Sequence, residues 1–185
     1  MMQTRLDQYN NSWYKPGRSV AVRMLWHCTS VLLVQCSWNL SSAVRTWCLR
    51  LFGASIGKGV VIKPGVQIKY PWLLKVGNHV WIGEHVWIDN LTTVTIDDHV
   101  CISQGAYLLT GNHDYTSEKF NLMVKPIMLQ QGGWIGAKAI VGPGVTAAPH
   151  AVLTAGSVAT KDLEAFKIHS GNPALPVKER VFRQS

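Results

Sequence analysis

A chain of 185 residues is long enough to bury one substantial core and too short to suggest two domains. Its net charge of +8, from 18 Lys/Arg against 10 Asp/Glu, is dispersed without a basic block. That argues against a nucleic-acid arm and suits a small polyanionic ligand or an anionic membrane surface.

The first elements along the chain are helical. The apolar stretch over residues 24–40 contains His27, Gln35 and several Ser and Thr, and falls short of the roughly 20 apolar residues that a spanning helix needs. No small-residue cleavage site follows it, so a signal peptide does not fit. Val20, Met24, His27/Cys28 and Val31 recur at helical spacing and predict one amphipathic helix. A second is expected from Ser42, as N-cap, to about Phe52, with Val44, Trp47, Cys48 and Leu51 on its apolar face and Gly53 as the stop. Repeat arrays need terminal caps, so these helices are expected to cap the array described next, with peripheral membrane contact as the competing use. The four cysteines, Cys28, Cys36, Cys48 and Cys101, form no CxxC pair, which predicts reduced thiols in a cytoplasmic protein, membrane-associated if the helices meet a bilayer.

From Ile56 to Lys161 the chain repeats a six-residue phrase. Aliphatic anchors fall at Ile56, Ile62, Ile68, then Val76, Ile82, Ile88, then Ile96, Ile102, Leu108, and resume at Leu129, Ile135, Val141 and on through Ala147, Leu153 and Ala159. Most are preceded two positions earlier by another small or aliphatic residue. An apolar pair flanking one outward residue is a short strand, and the Gly/Asp/Asn/Pro-rich remainder is a turn. Three strands and three turns close one triangular coil, and stacked coils bury a core that none could bury alone. Grouped in threes, the anchors give about five coils, and every break in the period falls between coils. Two extra residues precede Val76, two precede Ile96 and fifteen precede Leu129. All insertions therefore leave from one vertical edge, the kind of face that binds ligands in repeat proteins.

The run Gln104-Gly-Ala-Tyr-Leu-Leu-Thr-Gly-Asn-His-Asp-Tyr115, with Gly133-Trp-Ile-Gly136 and Gly171-Asn-Pro-Ala174, resembles the hexapeptide-repeat acyltransferases. Within them it is most similar to the colanic-acid-type exopolysaccharide O-acetyltransferases, over nearly the whole chain. The resemblance implies an all-β solenoid, a left-handed parallel β-helix. Its expected parts are an N-terminal helical segment (1–54), the repeat (55–165) with an inserted loop (111–128), and a tail (166–185) with a short C-terminal helix. It departs at Ala147-Ala148-Pro149-His150, where an aliphatic-Gly start is usual.

The resemblance also implies O-acetyl transfer from acetyl-CoA to a sugar or polysaccharide-precursor hydroxyl, with His113 as general base. Imidazole suits that task because its unperturbed pKa lies near neutrality. Asp114 is its neighbour, but adjacent residues seldom face each other, so a backbone carbonyl is the expected partner for the second ring nitrogen. Trp81, Trp87 and Trp134 each precede an anchor and must point out of the prism. On resemblance Trp134 belongs to a cofactor groove between subunits of a homotrimer. For Trp81 and Trp87, a subunit interface and burial under the chain's own elements stay equally open. Gly136, Ala137, Ala155 and Gly156 would let backbone approach the pantetheine arm; Thr160, Lys161 and Lys178 would meet the phosphates. Asp89, Asn90, Asn112 and Asp114 are candidates for the acceptor.

His79, His85, His99 and His150 all fall at the fourth position of a hexad, on turns, and are expected to be solvated. His79 and His99, in the same corner of successive coils, should lie about one strand spacing (~4.8 Å) apart. Two ligands are too few for a zinc site, so no metal is expected. Other uses of this prism are a xenobiotic O-acetyltransferase, a γ-type carbonic anhydrase, whose closely spaced loop histidines His113 lacks, and a non-catalytic binding scaffold.

Overall fold

The computed structural model describes residues 3–38 and 41–183. Its centre is a parallel β-solenoid with three faces. Face 1 stacks Ser55–Ile56, Leu74–Val76, Val94–Ile96, Ile127–Leu129 and Thr146–Ala147. Face 2 stacks Val61–Ile62, Trp81–Ile82, Cys101–Ile102, Trp134–Ile135 and Val152–Leu153, and continues into Lys167–Gly171. Face 3 stacks Gln67–Ile68, Trp87–Asp89, Tyr107–Leu109, Ile140–Val141 and Val158–Ala159. Register follows the anchors: Ile62, Ile82, Ile102, Ile135 and Leu153 pair in one column, and Ile68, Ile88, Leu108, Val141 and Ala159 in another. Nearly all anchors are fully buried. At about 1.5–3 kcal/mol for each large aliphatic side chain removed from water, this column packing is the main cohesive term.

The hexad turns explain the exposed histidines. His79, His85, His99 and His150 have φ between 55° and 60°, the left-handed conformation that the turn imposes on its fourth position; the first three are exposed as expected, whereas His150 is half-buried against Phe166 (4.8 Å) and Phe182 (5.5 Å). The His79 and His99 rings stack with centroids 5.3 Å apart, close to the strand spacing.

Two expectations need correction at the end of the chain. Five coils are followed by the start of a sixth: Leu163 bridges to Ala147, and Ile168 and His169 pair with Val152 and Leu153. The hexad pattern hides this turn because a buried histidine, His169, occupies the place of an aliphatic anchor. The expected C-terminal helix is instead an antiparallel hairpin, Lys167–Gly171 with Ala174–Glu179. Gly171, at φ 103°, and the Asn172-Pro173 pair that follows turn the chain there rather than opening a helix.

The helices also differ from the expectation. Helix α1 spans Val20–Thr29 and widens into a π-helical turn, Ser30–Val34; α2 spans Ser42–Leu51, with Ser41 rather than Ser42 as the capping side chain. Of the apolar faces read from the sequence, Val20, Met24, Val31, Val44, Trp47 and Leu51 point outward and are exposed, and Cys48 alone is buried in the core. Polar anchors select the opposite face. The Trp26 indole donates to Ile68 O at 3.0 Å and packs on Phe52, and buried Arg45 donates to Val34 O at 3.0 Å and Cys36 O at 3.3 Å. Ser42 Oγ accepts from Ile62 N, docking α2 onto the first coil. All four cysteines are free thiols. Among the described residues no helix is long and apolar enough to cross a membrane.

Candidate active site

The three insertions leave from the edge between faces 3 and 1, as the register requires. The longest folds into a hairpin, Gly111–His113 against Leu122–Val124, so His113 sits on a hydrogen-bonded strand rather than a free loop. Its Nδ1 lies 2.9 Å from Phe120 O, the expected backbone-carbonyl partner. A carbonyl only accepts, so Nδ1 carries the proton and Nε2 keeps its lone pair. The Phe120 ring stacks on the imidazole at 4.4 Å and 7°, and the Tyr9 ring of the N-terminal segment lies 5.6 Å away, tilted by 56°. Neither aromatic carried a sequence signal: one lies in the insertion and the other outside the repeat.

Asp114 does not orient the imidazole. Its carboxylate accepts from Thr116 Oγ1 at 2.6 Å and Thr116 N at 3.0 Å, which holds it below the usual carboxylate range. Asn112 Oδ1 accepts from His113 N at 2.8 Å; its side chain shares a hollow of about 180 Å³ with Thr160. Asn90 is taken out of the acceptor set. It is fully buried, and its amide clamps Tyr70, accepting from Tyr70 N at 3.0 Å and donating to Tyr70 O at 2.7 Å. Asp89 lies on the insertion edge, within reach of the Tyr107 hydroxyl (3.4 Å) and 2.8 Å from Lys69 Nζ.

The groove residues gather elsewhere. Trp134, Gly136, Ala137 and Ala155 line a trough of about 360 Å³ at the edge between faces 2 and 3, with Gly156 at the adjoining turn. Trp134 is half exposed, and its indole is fixed by donation to Ser103 Oγ at 2.9 Å. Lys178 is aligned with it: Trp134, Val152, Ile168 and Lys178 are successive cross-strand partners on face 2, which puts Lys178 three strands, about 14 Å, above the indole. Lys161 is exposed after the last face 3 strand, on the edge shared with His113. One chain therefore carries the histidine on one edge and the trough on another. Trp81 and Trp87 both stay half exposed, Trp81 under Lys63 Nζ and Trp87 stacked on Tyr107 at 4.6 Å beside α1. Among the described residues no group of three or more His, Cys, Asp or Glu could hold a metal.

A triangular hexad prism with a lone histidine on its insertion edge and a small-residue trough on the next defines a class, the hexapeptide-repeat acyltransferases. No protein-family model matches the sequence. The chain is 39% identical over 168 residues to WcaF of Escherichia coli K12, named as a colanic acid biosynthesis acetyltransferase, covering 91% of this chain and 92% of that one. It is 29% identical over 129 residues to the galactoside O-acetyltransferase of the same organism, covering 68% of this chain and 64% of the other. A hexapeptide-repeat acetyltransferase of Vibrio cholerae superposes with a TM-score of 0.79 at 24% identity, covering 88% and 92% of the two chains. A galactoside acetyltransferase solved with coenzyme A gives 0.78 at 23%, covering 87% and 82%. These structural likenesses fix the fold as the left-handed parallel β-helix. The chain belongs to the hexapeptide-repeat acetyltransferase family.

Proposed function

We propose that the protein transfers acetyl from acetyl-CoA to a hydroxyl of a sugar or polysaccharide precursor, with His113 as the base. The observation that carries this is the pinned imidazole, with Nδ1 held by Phe120 O and a free Nε2 lone pair on the insertion edge. Nε2 takes the acceptor's hydroxyl proton as the acceptor oxygen attacks the thioester carbonyl; the C–S bond then breaks and the departing CoA sulfur takes that proton from Nε2–H, which restores the base. The relatives named above, a colanic acid acetyltransferase and a galactoside O-acetyltransferase, favour a sugar acceptor. Asp89 and Asn112 stand on the same edge as His113 and suit its hydroxyls.

The trough fits a pantetheine arm. A Cβ added at Gly136 would lie 2.5 Å from Ala155 N, so only glycine leaves the main chain this close beneath Trp134. Lys178 above the indole, and Lys161 with Thr160 on the other edge, suit the anionic end of CoA as point charges. Because histidine and trough occupy different edges, the working site is read as shared between neighbouring prisms of a homotrimer. Coexpressing His113→Ala with Ala155→Trp, which fills the trough, tests this. Each variant alone is inactive, while random mixing restores one site in each mixed trimer, about a quarter of all sites. No recovery would overturn the shared site.

The outward apolar faces of α1 and α2 are assigned to an anionic bilayer in a cytoplasmic protein. Residues 1–54 carry six Lys/Arg against one acid, Asp7; Arg45 is buried, which leaves Arg5, Lys15, Arg18, Arg23 and Arg50 as the cations, and Trp13, Trp38 and Trp47 are exposed among them. Cationic charge and exposed indoles on amphipathic helices are what an interfacial helix needs.

A further inference from the structure

Beside the His113 ring a second cleft opens, of about 400 Å³, within the size range of small-molecule sites. Tyr9, whose ring lies 5.6 Å from the imidazole, and Leu122, the cross-strand partner of His113, form its near end. Tyr14 and Tyr70 line it further along, and Arg23 of α1 and Lys69 of the first coil supply its charge. The walls are fixed. The Tyr14 hydroxyl donates to Leu91 O at 2.7 Å, and Tyr70 is gripped by Asn90 and stacked on Trp72 at 5.1 Å.

The electrostatics are unbalanced. Among the described residues Arg23 Nε is buried without a hydrogen-bond partner, although a guanidinium stays charged at any working pH. Lys69 Nζ pairs with Asp89 Oδ1 at 2.8 Å, which uses one of its three ammonium donors and leaves two for a ligand. Asp89 is the one carboxylate lining this cleft or the adjoining hollow under α1, facing two fixed cations. A guanidinium enclosed to this degree is costly unless an anion balances its charge.

We propose that this cleft is the subsite for an acidic group, a phosphate ester or a carboxylate, carried by the acceptor saccharide. Arg23 presents its fork to that anion, Lys69 adds a point charge, and the sugar ring lies along the tyrosine faces with a hydroxyl at His113 Nε2. The inference rests on the acetyl-transfer reading and adds the acceptor's chemical class: an anionic rather than a neutral sugar.

The test compares methyl glucuronide and glucose 1-phosphate with neutral methyl glucoside. Binding is read by calorimetry, and acetyl transfer by CoA release, on the wild-type protein and on Arg23→Gln, Arg23→Lys and Lys69→Gln. One or both anionic sugars should bind about tenfold or more tightly than the glucoside, the worth of one charge-assisted hydrogen bond. That preference should collapse in Arg23→Gln, shrink in Lys69→Gln, survive in part in Arg23→Lys, and weaken as salt rises. A carboxylate or phosphate source is told apart by which of the two sugars wins. Equal binding of all three, or a preference untouched in Arg23→Gln, overturns the subsite, and acetylation of methyl glucoside would then leave the transfer reading intact. Arg23-dependent binding of an anionic sugar with no CoA release from any acceptor overturns acetyl transfer instead.

Discussion

Replacing Gly136 by alanine tests how the trough is built. The added Cβ would stand 2.5 Å from Ala155 N, 2.7 Å from Thr154 C and 2.8 Å from Leu153 O, all main chain of the next coil. Ordinary contact begins at 3.4 Å, so the coils must part by about 0.9 Å at a point where Gly136 N also donates to Leu153 O at 2.8 Å. No flexible side chain can yield there. Overpacking of this kind costs about 1–3 kcal/mol. At about 2–4 °C per kcal/mol for a chain of this length, the melting temperature should fall by about 2–12 °C. Because the displaced residue, Ala155, also lines the trough, the acetyl-CoA KM should rise in the same variant. Gly142→Ala is the control: its nearest contact is Ala159 O at 3.1 Å, so its loss should be smaller. Thermal melting and acetyl-CoA saturation curves decide. A Gly136→Ala protein that melts with wild type, or one less damaged than Gly142→Ala, would refute the reasoning.

Two further outcomes are expected. Trp47→Ser with Leu51→Ser should abolish co-sedimentation with vesicles containing phosphatidylserine while leaving the sedimentation velocity of the wild-type protein unchanged; a smaller species instead would make this face a subunit contact. Asp98 accepts from Asn78 N at 2.6 Å and from its side-chain amide, which holds the Asp98 carboxyl below its ordinary range. A folded-state value below the unfolded one gives stability that is present above the unfolded value and lost as pH falls through the folded one. Acid melting should therefore be shallower for Asp98→Ala than for wild type, and identical acid limbs would remove the carboxylate from the turn ladder.

What the sequence made legible follows from where its signals are repeated. Anchors recur every six residues and each must be aliphatic and buried, so Ile102, Leu108 and Ile135 announce coil, face and register together. The insertions show as breaks in that period, which located the His113 edge, and the adjacency of Asp114 left a backbone carbonyl as the partner of the second ring nitrogen. Signals that occur once were silent or misleading. His169 fills an anchor place without being aliphatic, so the sixth turn did not show. The helix faces were assigned by hydrophobicity, whereas Trp26 and Arg45 dock through hydrogen bonds to carbonyls and leave Trp47 and Leu51 outside. Tyr9 reaches His113 from more than a hundred residues away, and no local pattern encodes that meeting. Asn90 read as a polar group facing the acceptor because sequence does not distinguish a buried clamp from a surface amide.

The central claim is that His113, pinned through Nδ1, removes the acceptor's proton with Nε2. The most direct measurement is kcat against pH for wild type and His113→Ala, with acetyl-CoA affinity and the state of assembly followed alongside. The expected loss in kcat is about 10²–10⁴-fold, the usual worth of a positioned base, with affinity and assembly nearly unchanged. Wild-type kcat should fall at low pH along one ionisation that the variant lacks, because only the neutral imidazole can accept the proton. A variant keeping more than about a tenth of wild-type kcat, or showing the same acid limb, would contradict the assignment of the base to His113.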